Sequence, residues 1–230
     1  MTPTSGFSKF LRFIGILLMS FTAIFTLLGG AGTSCAALFP TNWESMAPLA
    51  PYQWLYILYV LMTIAIGILG VRAVVLLIKA RSNAYKTALI ALIAGVVVGA
   101  VHIFTSRALR GSSMPVDAVV YMTVFTLVIF LVFRIPGIWK GVDFSKAQKK
   151  ENKKSGGAAA IVVAAFTLTI QYWMASTHTW NGVNYANAFN TTMTISGLIF
   201  LLLGIGMMLP LDFSKLNLVT KGKETEKSIH

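Results

Sequence analysis

Charge is what this chain has least of. Only seven of its 230 residues are Asp or Glu, and charged residues of both signs make up 11%. A soluble domain carries roughly a quarter charged residues, so this composition could not cover a surface in water. Thiols are almost absent too, with Cys35 the single cysteine. That excludes an internal disulfide and the paired thiols a membrane thiol oxidoreductase needs. No Asp or Glu lies deep in an apolar run. Proton pumps and ion-coupled transporters place a carboxylate near mid-membrane, so autonomous ion coupling is not expected. Neither a nucleotide-binding loop nor a catalytic constellation can be read, and the chain is expected not to be an enzyme.

Apolar sequence is what it has in plenty, at 56% hydrophobic residues. Six runs stand out: Phe13–Ala31, Trp54–Leu77, Thr87–Phe104, Ala118–Phe133, Ala158–Ala175 and Thr192–Leu209. Each is close to the roughly 20 residues that carry a helix across about 30 Å of hydrocarbon. Backbone amides cannot stay unpaired there, so the runs must be helices, and they lack the alternation of barrel strands. The expected fold is an all-α polytopic membrane protein with six transmembrane helices arranged as helical hairpins. It forms one integral membrane domain over 1–230, with an outer cap loop at 32–53 and a basic cytoplasmic loop at 134–157.

The basic residues orient these spans. Lys9 and Arg12 precede the first, Arg72 to Lys86 flank the second connection, Arg134 to Lys154 fill the fourth, and Lys215 to Lys227 fill the tail. Of 19 Lys and Arg, only Arg107 and Arg110 fall on the other side. The positive-inside rule then places both the N- and C-termini in the cytoplasm, in a plasma or inner membrane. The net charge of +12 reads as orientation and attraction to anionic lipid, so the lipid bilayer is a partner and nucleic acid is not. Trp43, Trp54, Trp173 and Trp180 fall on the outer side, as an interfacial aromatic belt.

The stretch "GTSCAALFPTNW" (32–43) follows the first run and resembles a signal-peptide cleavage region. Cleavage would leave an odd number of spans and spoil the charge partition. The segment is therefore expected to be retained, with Cys35 at the outer end of the first span. The prolines of "FPTNWESMAPLAPYQW" (39–54) predict a small cap folded over the helix ends.

Short words recur: "DFSK" at 143–146 and 212–215, and "MT" early in each even span. Thr87 to Met122 and Ala158 to Met193 are both 35 residues apart. Spans 3–4 and 5–6 thus read as parallel copies of one hairpin, a plan that transporters and bundles use.

Polar groups that could bind a ligand are few. Arg72 lies within the second span, either meeting an anion inside the bundle or snorkelling to the headgroups. Trp173, Trp180 and Asn184 line the last outer connection and could contact a neutral solute or a partner loop. Cys35, His102 and His178 end or follow the odd spans on the outer face. Cys and His suit soft metals, so they form a speculative metal or redox site, without the close spacing of a ligand motif. No cofactor is otherwise indicated. Gly95 and Gly99, with Gly67 and Gly70, offer small faces for close helix packing.

The leading expectation is a non-catalytic integral membrane subunit that packs among other membrane-protein subunits and helps position a larger assembly. The rivals are a small-solute transporter or substrate-binding membrane component, and a membrane metal or redox-cofactor protein.

Overall fold

The computed structural model describes residues 2–42, 44–146, 149–174, 179–180, 183–184, 187 and 190–209. For Cys35, Lys149, Lys150, Trp173, Met174, Trp180 and Val183 the description covers the backbone alone. The chain is an all-helical integral membrane protein. Its long helices are α1 (Gly6–Leu38), α2 (Gln53–Ile78), α3 (Ala84–Arg110), α4 (Val116–Phe133), α6 (Lys149–Leu168) and α8 (Asn190–Met208). Two short helices, α5 (Pro136–Val142) and α7 (Ile170–Met174), sit between them. A two-residue antiparallel pair, β1 (Thr179–Trp180) with β2 (Val183–Asn184), lies in the last connection.

Among the described residues five stretches are long and apolar enough to cross a membrane: α1, α2 with the 3-10 turns before it, α3, α4 and α8. The fifth expected span, 158–175, is not one continuous helix over its described residues. α6 begins in the charged "KKENKKS" and breaks at Thr169, before α7. From Gly156 to Leu168 its apolar part rises about 20 Å, short of the hydrocarbon thickness. At the break the Thr169 hydroxyl donates to the Ala165 carbonyl at 2.7 Å, competing with the helical amide. Such back-bonding often bends helices, although Thr26, Thr33 and Thr167 make the same bond within unbroken helix.

The first four helices close into a ring. Between α1 and α4, Gly15 faces Phe133, Thr22 faces Thr126 and Gly29 faces Val119. The spacing is seven residues on both helices, the repeat of a left-handed antiparallel crossing. At the middle of this seam the Thr22 and Thr126 hydroxyls share a hydrogen bond of 2.8 Å. Glycine sets the approach of α2 to α1, because a Cβ on Gly67 would lie 2.6 Å from Leu27 Cδ2. In the same way Gly95 and Gly99 let α3 meet Thr123 and Val120 of α4. These are small-residue contacts of the kind that drive helix association in lipid, where hydrophobic burial supplies little.

α6 and α8 form an antiparallel pair outside this ring, with Gly157 against Gly204 and Leu168 against Gly197. α6 is joined to α1 by the edge-to-face contact of Phe21 with Phe166, 5.2 Å between centroids. Among the described residues nothing covers the other side of α8, and 11% of its most apolar stretch is buried.

Each end of the bundle has its own core. At the Cys35 end, 3-10 turns at Pro40–Asn42 and Glu44–Tyr52 fold Leu49 against Ala36, Ala37, Tyr56 and Tyr59. Pro48 and Pro51 remove amide donors there, so an α-helix cannot form. α3 stops at Gly111, which adopts φ +70° and donates to the Arg107 carbonyl, a left-handed cap that glycine accepts at no steric cost. The turn into α4 is tied by Asp117, which accepts from Arg107 Nη2 at 2.8 Å and from Ser113 Oγ at 2.6 Å. At the opposite end Ile16, Leu77, Leu92, Phe130, Val142 and Phe144 pack together.

Candidate functional site

The connections at the end bearing Arg12 build a pocket that no single segment announces. α2 ends at Ile78 and α4 at Phe133, and the residues just beyond them turn toward the first turn of α3. Between them lies a cavity of about 400 Å³, lined by Arg81, Ser82, Tyr85, Lys86, Arg134, Trp139 and Asp143 among others. Three cations from three elements therefore face one space.

Aromatic rings fix this wall. The Arg134 guanidinium lies over Trp139, 4.7 Å from the ring centroid, and 5.8 Å from that of Tyr85. A guanidinium on an aromatic face is weakly hydrated and keeps its donor edge free. Tyr85 is held in turn: its hydroxyl donates to the Phe130 carbonyl at 2.7 Å, and its ring meets Trp139 edge-on at 4.8 Å. The floor is the apolar core, in which Phe130 and Phe144 stack 6.3 Å apart.

The single carboxylate in the lining is already engaged. Asp143 Oδ1 accepts from the Ser145 amide and hydroxyl at 3.1 and 2.6 Å, and Oδ2 pairs with Lys146 at 3.4 Å. Among the described residues no carboxylate stands within 4.0 Å of Arg81, Lys86 or Arg134. The pocket is thus positively charged. Its cations can hold an anion.

Behind α5, a buried ion pair keeps the pocket's wall in place. Arg12, 1% exposed, donates to the carbonyls of Gly141 (2.7 Å) and Pro3 (2.8 Å) and to Glu151 (3.2 Å). Lys9 also reaches Glu151, at 2.8 Å. Next to it, buried Asn152 donates to the Leu77 carbonyl at 2.9 Å, while its Oδ1 has no partner among the described residues. N-terminus, α2, α5 and α6 are pinned together at this end.

At the other end His102 is 3% exposed, stacked on Tyr59 at 4.3 Å and edge-on to Tyr56 at 5.5 Å. It borders a cavity of about 30 Å³ between the four ring helices, shared with Thr26, Thr33, Thr63 and Thr123. That is room for about one water.

The described residues singled out from sequence belong to α1, α2, α3, α7, β1 and β2. Arg72 is exposed on the flank of α2, outside the bundle interior. Asn184 sits in β2 opposite Thr179. Trp173 and Trp180 are placed by backbone in α7 and β1, and their side chains lie outside the described residues. Cys35 lies in the last turn of α1, again by backbone only, and His178 is outside the described residues. Among the described residues no three His, Cys, Asp or Glu side chains gather as a metal site would require.

The pocket itself was missed from sequence, because its cations counted only as orientation charges. One signal was there to be read: Trp139, in "RIPGIWK", is the tryptophan that does not join the outer belt. No family model, curated protein or solved structure matches the chain.

Proposed function

We propose that the chain is a non-catalytic integral membrane subunit that packs into a larger membrane assembly and helps position it. The observation that carries this reading is the filled interior of the four-helix ring. A transporter needs a polar site or pathway near the midplane. Here the midplane is closed by glycine contacts and by the Thr22–Thr126 hydrogen bond, and the 30 Å³ cavity beside His102 admits no solute larger than water. α8, covered on one side only by α6, leaves an apolar flank for neighbouring helices.

The same reading gives the chain six crossings, as helical hairpins, with both ends in the cytoplasm. Its support is the charge partition, together with the way Lys9, Arg12, Arg81, Lys86 and Arg134 gather at one end of the bundle. On this reading α6 and α7 jointly complete the fifth crossing.

A substrate-binding membrane component is the second reading, and the 400 Å³ pocket favours it. Against a transport role, the space behind that pocket is filled by Ala84, Ala88, Leu92 and Phe130. Purification from native membranes in mild detergent separates the readings. A stoichiometric second chain, held through size exclusion, is the expected result. A 25.0 kDa monomer or a pure homo-oligomer would overturn the subunit reading.

A further inference from the structure

We propose that the cavity formed by Arg81, Lys86, Arg134, Tyr85 and Trp139 is a binding site for a phosphate group. This goes beyond the subunit reading and does not rest on it. The argument starts from charge. Three cations from separate elements share the space, and its carboxylate, Asp143, is turned into its own turn by Ser145 and Lys146. A singly charged carboxylate ligand would leave the site with excess positive charge, whereas a phosphate with two charges and three or four acceptor oxygens suits it better.

Preorganisation is the second element. Arg134 is already laid on Trp139, and Tyr85 is locked by its bond to Phe130, so the donor edge of the guanidinium needs little ordering when a ligand arrives. The first turn of α3, which supplies Tyr85 and Lys86, adds the positive end of its dipole. Depth is the third. Arg81 and Arg134 stand within three residues of the apolar ends of α2 and α4, at the level where phospholipid phosphates lie. The phosphate could belong to a lipid headgroup or to a soluble phosphate ester, and both present the same chemistry.

The test uses the full chain, delipidated and placed in neutral phosphatidylcholine nanodiscs. One arm adds phosphatidic acid to the discs, and the other titrates inorganic pyrophosphate into the buffer. Binding is read as a saturable rise in unfolding temperature and as retained ligand in native mass spectrometry. R81Q/R134Q is expected to lose about tenfold or more in affinity, and R134K, which keeps charge but not the stacked fork, to lose part of it. K153Q/K154Q removes two exposed charges on α6, outside the pocket lining, and is expected to bind like the wild type. Saturable binding in the phosphatidic acid arm alone identifies a lipid headgroup site, and binding in the pyrophosphate arm identifies a site open to soluble phosphates. Equal loss in R81Q/R134Q and K153Q/K154Q would reduce the effect to diffuse attraction and overturn the proposal. So would the absence of saturable binding in both arms, with the ligand-free unfolding temperature of R134K showing that the pocket is folded.

Discussion

At the scale of single residues, close packing in this protein depends on what glycine leaves out. Gly67 gives Leu27 the space a methyl group would take, with Leu27 Cγ 2.7 Å and its backbone nitrogen 3.3 Å from where a Cβ would stand. Gly206, on α8, has nothing within 4 Å of that position. Two alanine substitutions should therefore have opposite signs. Gly67→Ala is expected to cost about 1–3 kcal/mol through overpacking. Gly206→Ala is expected to be neutral or to stabilise by up to about 1 kcal/mol, through helix propensity. Reversible unfolding in mixed micelles, followed by circular dichroism, measures both. Equal effects would mean that the α1–α2 contact is looser than described. The sequence made Gly67, Gly70, Gly95 and Gly99 visible as small faces, but not which helix each would meet. That pairing depends on how four helices rotate about their axes, and hydropathy that is high on every side fixes no rotation.

At the scale of elements, the ends of α2 and α4 were legible because polarity changes abruptly there. The runs Trp54–Leu77 and Ala118–Phe133 fall within two residues of Gln53–Ile78 and Val116–Phe133. α1 and α3 outrun their apolar segments, since a helix continues past the hydrocarbon wherever its next turn finds partners. For α1 the first turn is held by the Ser5 hydroxyl, which accepts from the Ser8 amide at 3.2 Å. The fifth segment is where the sequence misled. Its composition reads as one run, yet α6 ends at Leu168, and nothing in a hydropathy profile marks the break or the Thr169 hydroxyl beside it. Replacing that hydroxyl tests the cause. Thr169→Leu is expected to join α6 to α7 and to slow amide exchange from 169 to 173 by about tenfold or more, as an added helical turn would. Unchanged exchange would assign the break to packing against neighbours instead. The pocket was illegible at this scale because its cations come from two connections and the first turn of α3, brought together only when α2, α3 and α4 are in register.

At the scale of the whole molecule, two lines of argument bear on one number. Among the described residues five helices are long and apolar enough to cross a membrane by themselves, whereas the distribution of Lys and Arg calls for an even number of crossings. The ion pairs of Arg12 and Lys9 with Glu151 tie the start of α6 to the start of α1, so these two helices set out from the same end. α8 then runs back against α6. If α6 and α7 together traverse the bilayer, the tail returns to the side where the chain began. The account of orientation, of the basic end and of the apolar flank all follow from that return. Single cysteines test it most directly, in a Cys35→Ser background, with Ser5→Cys, Lys140→Cys and Lys223→Cys probed by a membrane-impermeant maleimide in sealed, oriented vesicles. The account predicts that all three react from the same face and are protected from the other. Labelling of Lys223→Cys from the face opposite Ser5→Cys would contradict it, leaving a protein of five crossings with its ends apart.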